Sequence, residues 1–169
     1  MNNSKILLSF LIPLFFFSSF RSKKICLEGK WSGTVSFLEN KTGTEGLVSE
    51  WRMDATLTND TGRAVHFSNV TSMHGWSRCR TTAKTELELG IDDETNTYSI
   101  SVNVPGCYGT QVYKGISSDY AVSDETAIVI NNRPMGANRN TLSGRLTETH
   151  TTEFGSTTTT YEWNLTKSR

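Results

Sequence analysis

The sequence has no excess of charge of either sign. Lys and Arg together number 17, as do Asp and Glu, so the formal net charge is zero. The basic residues are scattered along the chain rather than clustered. Nucleic acids and anionic membrane surfaces are held by concentrated basic fields. The sequence therefore predicts neither of them as a partner.

Signatures of catalysis and of metal binding are also missing. The chain has no G-x-S-x-G turn for a nucleophilic serine, no Cys-with-His signature and no glycine loop for phosphate. His66, His74 and His150 are not spaced like zinc ligands. We therefore expect a protein that is not an enzyme and that uses no metal or cofactor. The alternative is an unrecognised hydrolytic site assembled from side chains on distant strands.

Only one long hydrophobic run occurs, at 6–20 after Lys5. Its length is typical of the apolar region of a signal peptide and is short for a membrane span. We expect a signal peptide over residues 1–22 and a single domain over residues 23–169, in a secreted, periplasmic or other extracytoplasmic protein. An uncleaved N-terminal anchor is the alternative, because basic residues follow the run directly.

Cysteine is scarce, and its three copies are Cys26, Cys79 and Cys107. An exported protein meets an oxidising compartment, in which a disulfide persists. Cys79 and Cys107 are the preferred pair, since both lie in the middle of the domain beside turn-forming residues. Cys26 is then left as a free or intermolecular thiol or, alternatively, as a lipid-modified residue.

From Trp31 onward, apolar residues alternate with polar ones at a period of two, and clusters of Gly, Asn, Asp and Ser interrupt the pattern. This is typical of short antiparallel strands joined by turns. The predicted strands are 31–37, 51–57, 63–69, 85–91, 98–104, 111–116, 126–131, 141–150 and 157–167. Hairpins are predicted around 92–96 and 153–156, and the segment 73–80 fits no strand pattern. About eight or nine such strands indicate an all-β fold, an antiparallel β-barrel with a β-sandwich as the alternative.

Gly29-Lys30-Trp31 opens the first predicted strand, and Lys167 lies on the last, with the same parity as its apolar residues. Here the chain resembles the calycin proteins, the lipocalin-like and avidin-like barrels. In that family a G-x-W begins the first strand, and a basic residue of the final strand packs over the Trp. The resemblance implies a barrel closed by antiparallel terminal strands, with the Lys167 ammonium over the Trp31 ring.

Two polar residues, Glu148 and His150, continue the apolar face of their predicted strand. Such residues mark the mouth of a barrel or, alternatively, a strand end that leaves the core for solvent. Aromatic residues are expected on the inward face at the same end. The predicted ligand-binding residues are Phe37, Trp51, Glu148, His150 and Tyr161.

The favoured function is therefore an exported protein whose barrel binds a small apolar or amphipathic ligand. The alternative is a secreted or envelope protein with a filled barrel that acts as an inhibitor or binds another macromolecule through its loops. An apolar cavity of roughly 300 Å³ or more would favour the first.

Overall fold

A computed structural model of the chain describes residues 29–168. The predicted signal peptide and Cys26 lie outside the described residues. The strands are β1 (Trp31–Gly43), β2 (Gly46–Thr58), β3 (Thr61–Val70), β4 (Gly75–Thr81), β5 (Thr85–Asp92), β6 (Thr97–Val104), β7 (Cys107–Tyr113), β8 (Ile116–Val122), β9 (Thr126–Pro134), β10 (Thr141–Thr152) and β11 (Gly155–Lys167). A single 3₁₀ turn, Thr71–Met73, separates β3 from β4 in this part of the chain. Residues 29–168 contain no helix with the length and apolarity that a membrane crossing needs.

All eleven strands belong to one antiparallel sheet, so the prediction of an all-β fold is confirmed. The main path runs β10-β11-β1-β2-β3-β4-β7-β8, and β5, β6 and β9 form a branch that leaves from β3. The first and last strands are neighbours, with Trp31 directly opposite Lys167.

The branch arises because β3 changes partner along its length. Thr61 and Gly62 pair with β5, whereas residues 65–70 pair with β4. Within residues 29–168, β8 pairs only with β7, β9 only with β6 and β10 only with β11, so each of these three strands lies at an edge. The pairing of the terminal strands is therefore present as expected, but within residues 29–168 the hydrogen bonding does not close the sheet.

The strand predicted at 111–116 is wrong, because it contains a hairpin turn. Lys114 and Gly115 both have positive φ, 48° and 82°, and they separate β7 from β8. Positive φ at two successive residues is the geometry of a tight hairpin turn. Lysine is not a usual residue for the first of these positions, which is why the sequence pattern concealed the turn.

The segment that fitted no strand pattern contains β4. The buried side chains of this strand are Ser77, Cys79 and Thr81. They are small and two of them carry hydroxyls, so the strand alternates in burial without alternating in hydrophobicity.

Both predicted hairpins are confirmed. In the β5–β6 turn, the Asp92 carboxylate accepts hydrogen bonds from the backbone N–H groups of Glu94, at 3.0 Å, and Thr95, at 3.3 Å. The β10–β11 turn is at 153–154. Side-chain oxygens that bond to the backbone two or three residues ahead favour such turns.

Buried apolar side chains from both parts of the sheet meet in one cluster, and the sheet face that carries them is called the core face. Trp163 of β11 donates its indole N–H to the hydroxyl of Tyr98 of β6, at 2.8 Å. Because this bond crosses the core, the β5–β6–β9 branch covers the core face of the strands around β11 and β1. The two parts of the sheet thus enclose this buried cluster.

Candidate functional site

The core face has an apolar part and a polar part, and one row of side chains crosses the sheet at the border between the two. Neighbours in this row lie directly opposite each other on adjacent strands, from β10 to β4. Its members are Leu146, Tyr161, Phe37, Met53, His66 and Cys79. Toward Trp31 the next row is Gly144, Trp163, Val35, Ala55 and Ala64, which is apolar throughout. In the opposite direction the next row is Glu148, Thr159, Glu39, Trp51 and Ser68, which is largely polar.

Three aromatic rings meet at this border, and we call Phe37, Trp51 and Tyr161 the aromatic cluster. Phe37 contacts Trp51 edge-to-face with ring centroids 5.0 Å apart, and Tyr161 with centroids 5.4 Å apart. Edge-to-face contact is favourable between aromatic rings. Phe37 is 8% exposed, while Trp51 and Tyr161 are half-buried. The cluster therefore presents apolar ring surface that solvent still reaches.

Carboxylates flank the aromatic cluster. The pKa of the Tyr161 hydroxyl is raised by burial and, to a smaller extent, by the negative charges of Glu148 and Glu39. Glu39 forms an ion pair with Lys41 at 3.2 Å. Within residues 29–168 no ion pair engages Glu148, which is exposed. The polar side of the cluster is thus electronegative, with one carboxylate partly neutralised.

The structure brings four of the five predicted ligand-binding residues to one place. Phe37 contacts both Trp51 and Tyr161, and Glu148 lies one row from Tyr161 on the polar side. His150 lies one row further from the core, opposite Thr157, and is exposed. Its predicted role therefore has less geometric support than those of the other four.

At the other end of the core face, Trp31 is 1% exposed and is held by Asp60. The backbone N–H of Trp31 donates to Asp60 Oδ1 at 2.7 Å, and the backbone N–H of Asp60 donates to the Trp31 carbonyl at 2.8 Å. The side chain of Lys167 packs against Gly29. Among the described residues, the cation–π contact that is present joins Lys114 to Tyr113, at 5.3 Å, and not Lys167 to Trp31.

The predicted disulfide between Cys79 and Cys107 is confirmed, with 5.5 Å between the Cα atoms. His66 lies beside it, and one ring nitrogen and both sulfurs are within 4.8 Å of one another. Burial lowers the pKa of His66, and its Nε2 has no hydrogen-bond partner among the described residues. We call these three residues the Cys–His cluster. The sequence concealed it because its members lie on three strands, and β4, which brings Cys79 opposite His66, was not recognised.

A groove of about 600 Å³ crosses the outer face of the sheet, away from the core. Val65, Phe67 and the 43%-exposed Trp76 supply its apolar surface. The polar lining residues are Glu50, Arg52, Asp54, Asn69 and Arg78. A smaller groove of about 350 Å³ continues it past Arg80 and the exposed Tyr108. Both grooves are open surface features and differ from the interior cavity expected of a ligand-filled barrel.

Comparisons of the chain with protein-family models, with curated proteins and with solved structures find no match. The resemblance to calycin barrels therefore stays a prediction that rests on the terminal strands.

Proposed function

We propose that this protein is an exported binding protein, and not an enzyme, which holds a small amphipathic ligand with a cationic head at the aromatic cluster. The observation that carries the proposal is the contact of Phe37 with Trp51 and Tyr161 at the border of the core face, near the carboxylates of Glu148 and Glu39.

The apolar part of the ligand is accounted for by the half-buried rings. A binding site needs apolar surface that a ligand removes from water, together with a few polar groups that fix its orientation. Trp51 and Tyr161 supply such surface because neither is fully buried. The next row toward Trp31 contains the buried side chains of Val35 and Trp163, so we place the ligand at the border row rather than deeper in the interior.

The cationic head follows from the charges. Glu148 and Glu39 are close enough to Tyr161 to raise the pKa of its hydroxyl, so they also act on a ligand that lies over this ring. A cation is further favoured by the faces of Trp and Tyr rings. An anionic head would be repelled by the same carboxylates.

A calycin-like barrel and an extracytoplasmic location are parts of this proposal. The antiparallel pairing of β1 with β11 and the position of Trp31 support the first. The Cys79–Cys107 disulfide supports the second, since disulfides are rare in reducing compartments.

Titration calorimetry with decyltrimethylammonium, below its micelle concentration, tests the proposal. We expect saturable binding at one site, and weaker binding of decyl sulfate, which has the same alkyl chain and an anionic head. Trp51→Leu should weaken binding by about 1 kcal/mol or more, as for a cation on a partly desolvated indole.

The matched charge variants are Glu148→Gln and Glu162→Gln. Glu148→Gln should weaken binding about two- to fivefold, the effect of an exposed ion pair. Glu162 is next to Tyr161 in the chain but lies on the opposite face, paired with Arg145 at 3.3 Å, so its loss should leave the affinity unchanged. No binding of the cationic probe, or equal effects of the two variants, would contradict the proposal.

A second candidate function is favoured by the outer face. Trp76 and Tyr108 are exposed there beside Arg78 and Arg80. Exposed aromatic and arginine side chains are enriched in protein interfaces. This favours the alternative of an interaction or inhibitor protein, with the outer groove as the contact surface.

A further inference from the structure

The Cys–His cluster has the composition of a metal centre as well as of a disulfide. Its members lie on neighbouring strands and all point to the core face, because His66 is directly opposite Cys79, and Cys107 is two residues from Gly109, the partner of Cys79 on β7. His66 is 6% exposed, Cys79 2% and Cys107 fully buried. Three potential ligand atoms are thus held together by the sheet itself.

The imidazole gives an independent indication of a missing partner. Nε2 of His66 is buried and has no hydrogen-bond partner among the described residues. Buried polar atoms are almost always partnered, and exceptions call for an explanation such as an ion that is bound in another state.

We propose that the reduced protein binds one Zn²⁺-like soft divalent cation through the Cys79 and Cys107 thiolates and His66, and that disulfide formation excludes this cation. Thiolate and imidazole are the ligands that Zn²⁺ prefers, and three protein ligands leave a fourth position for water. Tetrahedral zinc places such ligand atoms about 3.5–4 Å apart, and the three atoms already lie within 4.8 Å of one another. The two sulfurs must separate when the disulfide is reduced, and both already lie within 4.8 Å of a ring nitrogen of His66.

The exchange between the two states is balanced. A dithiol reductant gives two electrons and two protons to the S–S bond, which breaks into two thiols, while the reductant becomes a disulfide. One Zn²⁺ then displaces the two thiol protons to solvent and forms two Zn–S bonds and one Zn–N bond. Re-oxidation of the thiolates by another disulfide restores the S–S bond and releases the cation.

Cobalt spectroscopy of the intact protein tests the proposal. The disulfide is reduced with dithiothreitol without oxygen, the reductant is removed, and thiol titration verifies that both sulfurs are free before Co²⁺ is added. We expect a thiolate-to-cobalt charge-transfer band and the d–d bands of four-coordinate cobalt, saturating at one ion per chain and abolished by Zn²⁺. The oxidised protein should show none of these bands.

Variants distinguish the contribution of the imidazole to cobalt binding from that of the thiolates. Cys79→Ala removes one of the two thiolates and should weaken the charge-transfer band, and His66→Gln should lose the four-coordinate d–d bands. His74→Gln removes an exposed histidine outside the cluster and should behave as the wild type.

One wild-type measurement does not depend on the folding of any variant. Bound Zn²⁺ should slow re-formation of the disulfide by an added oxidised thiol. The proposal is overturned if Zn²⁺ leaves this rate unchanged, if the reduced wild type shows no charge-transfer band, or if folded His66→Gln keeps the wild-type spectrum.

Discussion

His66 is the one buried histidine among the described residues, and its titration ties the pH to the stability of the fold. Burial lowers its pKa below the ordinary value of about 6.5. When the pH falls below that value, the unfolded chain takes up a proton on this ring while the folded protein still keeps the ring neutral. The unfolded state then binds more protons, so the free energy of unfolding falls as the pH drops and is fully regained above about 6.5.

We therefore predict that His66→Gln reduces the loss of stability on mild acidification. Urea unfolding just above and below the ordinary histidine pKa measures this. His74→Gln keeps the buried imidazole and should retain the wild-type dependence. An unchanged dependence in His66→Gln would show that other groups are responsible.

Trp31 and Lys167 are opposite each other but differ in burial, so they should differ in their contribution to stability. Trp31→Ala removes a side chain that is 1% exposed and should lower the free energy of unfolding by about 3–5 kcal/mol. Lys167→Ala removes only the packing of a half-buried stem against Gly29 and should cost about 1 kcal/mol or less. Chemical denaturation measures both losses. Equal losses would contradict the larger contribution of the buried indole at this end of the core face.

Strand β4 depends on close approach of its neighbour β7. A Cβ on Gly109 would clash with the backbone carbonyl of Arg78, which cannot rotate away. Gly90 of β5 is also a strand glycine, yet a Cβ there meets nothing within 4 Å.

We predict that Gly109→Ala lowers the free energy of unfolding by about 1–3 kcal/mol, as for other overpacked sites. Gly90→Ala, the matched control, should stay within about 0.5 kcal/mol of the wild type. Urea unfolding of the two variants provides the measurement. Tolerance of Gly109→Ala would show that β4 and β7 pack more loosely than the structure indicates.

The predictability of these elements follows the chemistry of their buried side chains. Strand β6 and the 161–165 part of β11, whose inward residues are apolar, were predicted from alternation alone. The signal failed at β4, where Ser77 and Thr81 are buried, and at the Lys114–Gly115 turn. The aromatic cluster could be anticipated because parity along β1, β2 and β11 is local information. The Cys–His cluster could not, because it depends on β3 dividing its pairing between β4 and β5.

For the whole molecule, the branch at β3 has two consequences. It folds β5, β6 and β9 over the core, so the interior near Trp163 and Tyr98 is filled and bonded. It also leaves β4, β7 and β8 to continue the main path of the sheet, and Trp76 of β4 lies in the outer groove. The protein therefore offers two candidate surfaces, the aromatic cluster on the core face and the outer groove behind it.

The four tryptophans report on these regions separately. Trp31 lies at the end of the core face away from the aromatic cluster, and Trp163 lies in the core. Trp51 is in the aromatic cluster, and Trp76 is in the outer groove. Each indole N–H gives its own resonance in a ¹H–¹⁵N correlation spectrum, assigned by Trp→Phe substitution. Titration with decyltrimethylammonium then shows directly where the ligand binds. We predict that the Trp51 resonance shifts in a saturable manner while that of Trp76 stays in place. A shift of Trp76 with Trp51 unmoved would contradict ligand binding at the aromatic cluster and assign it to the outer face.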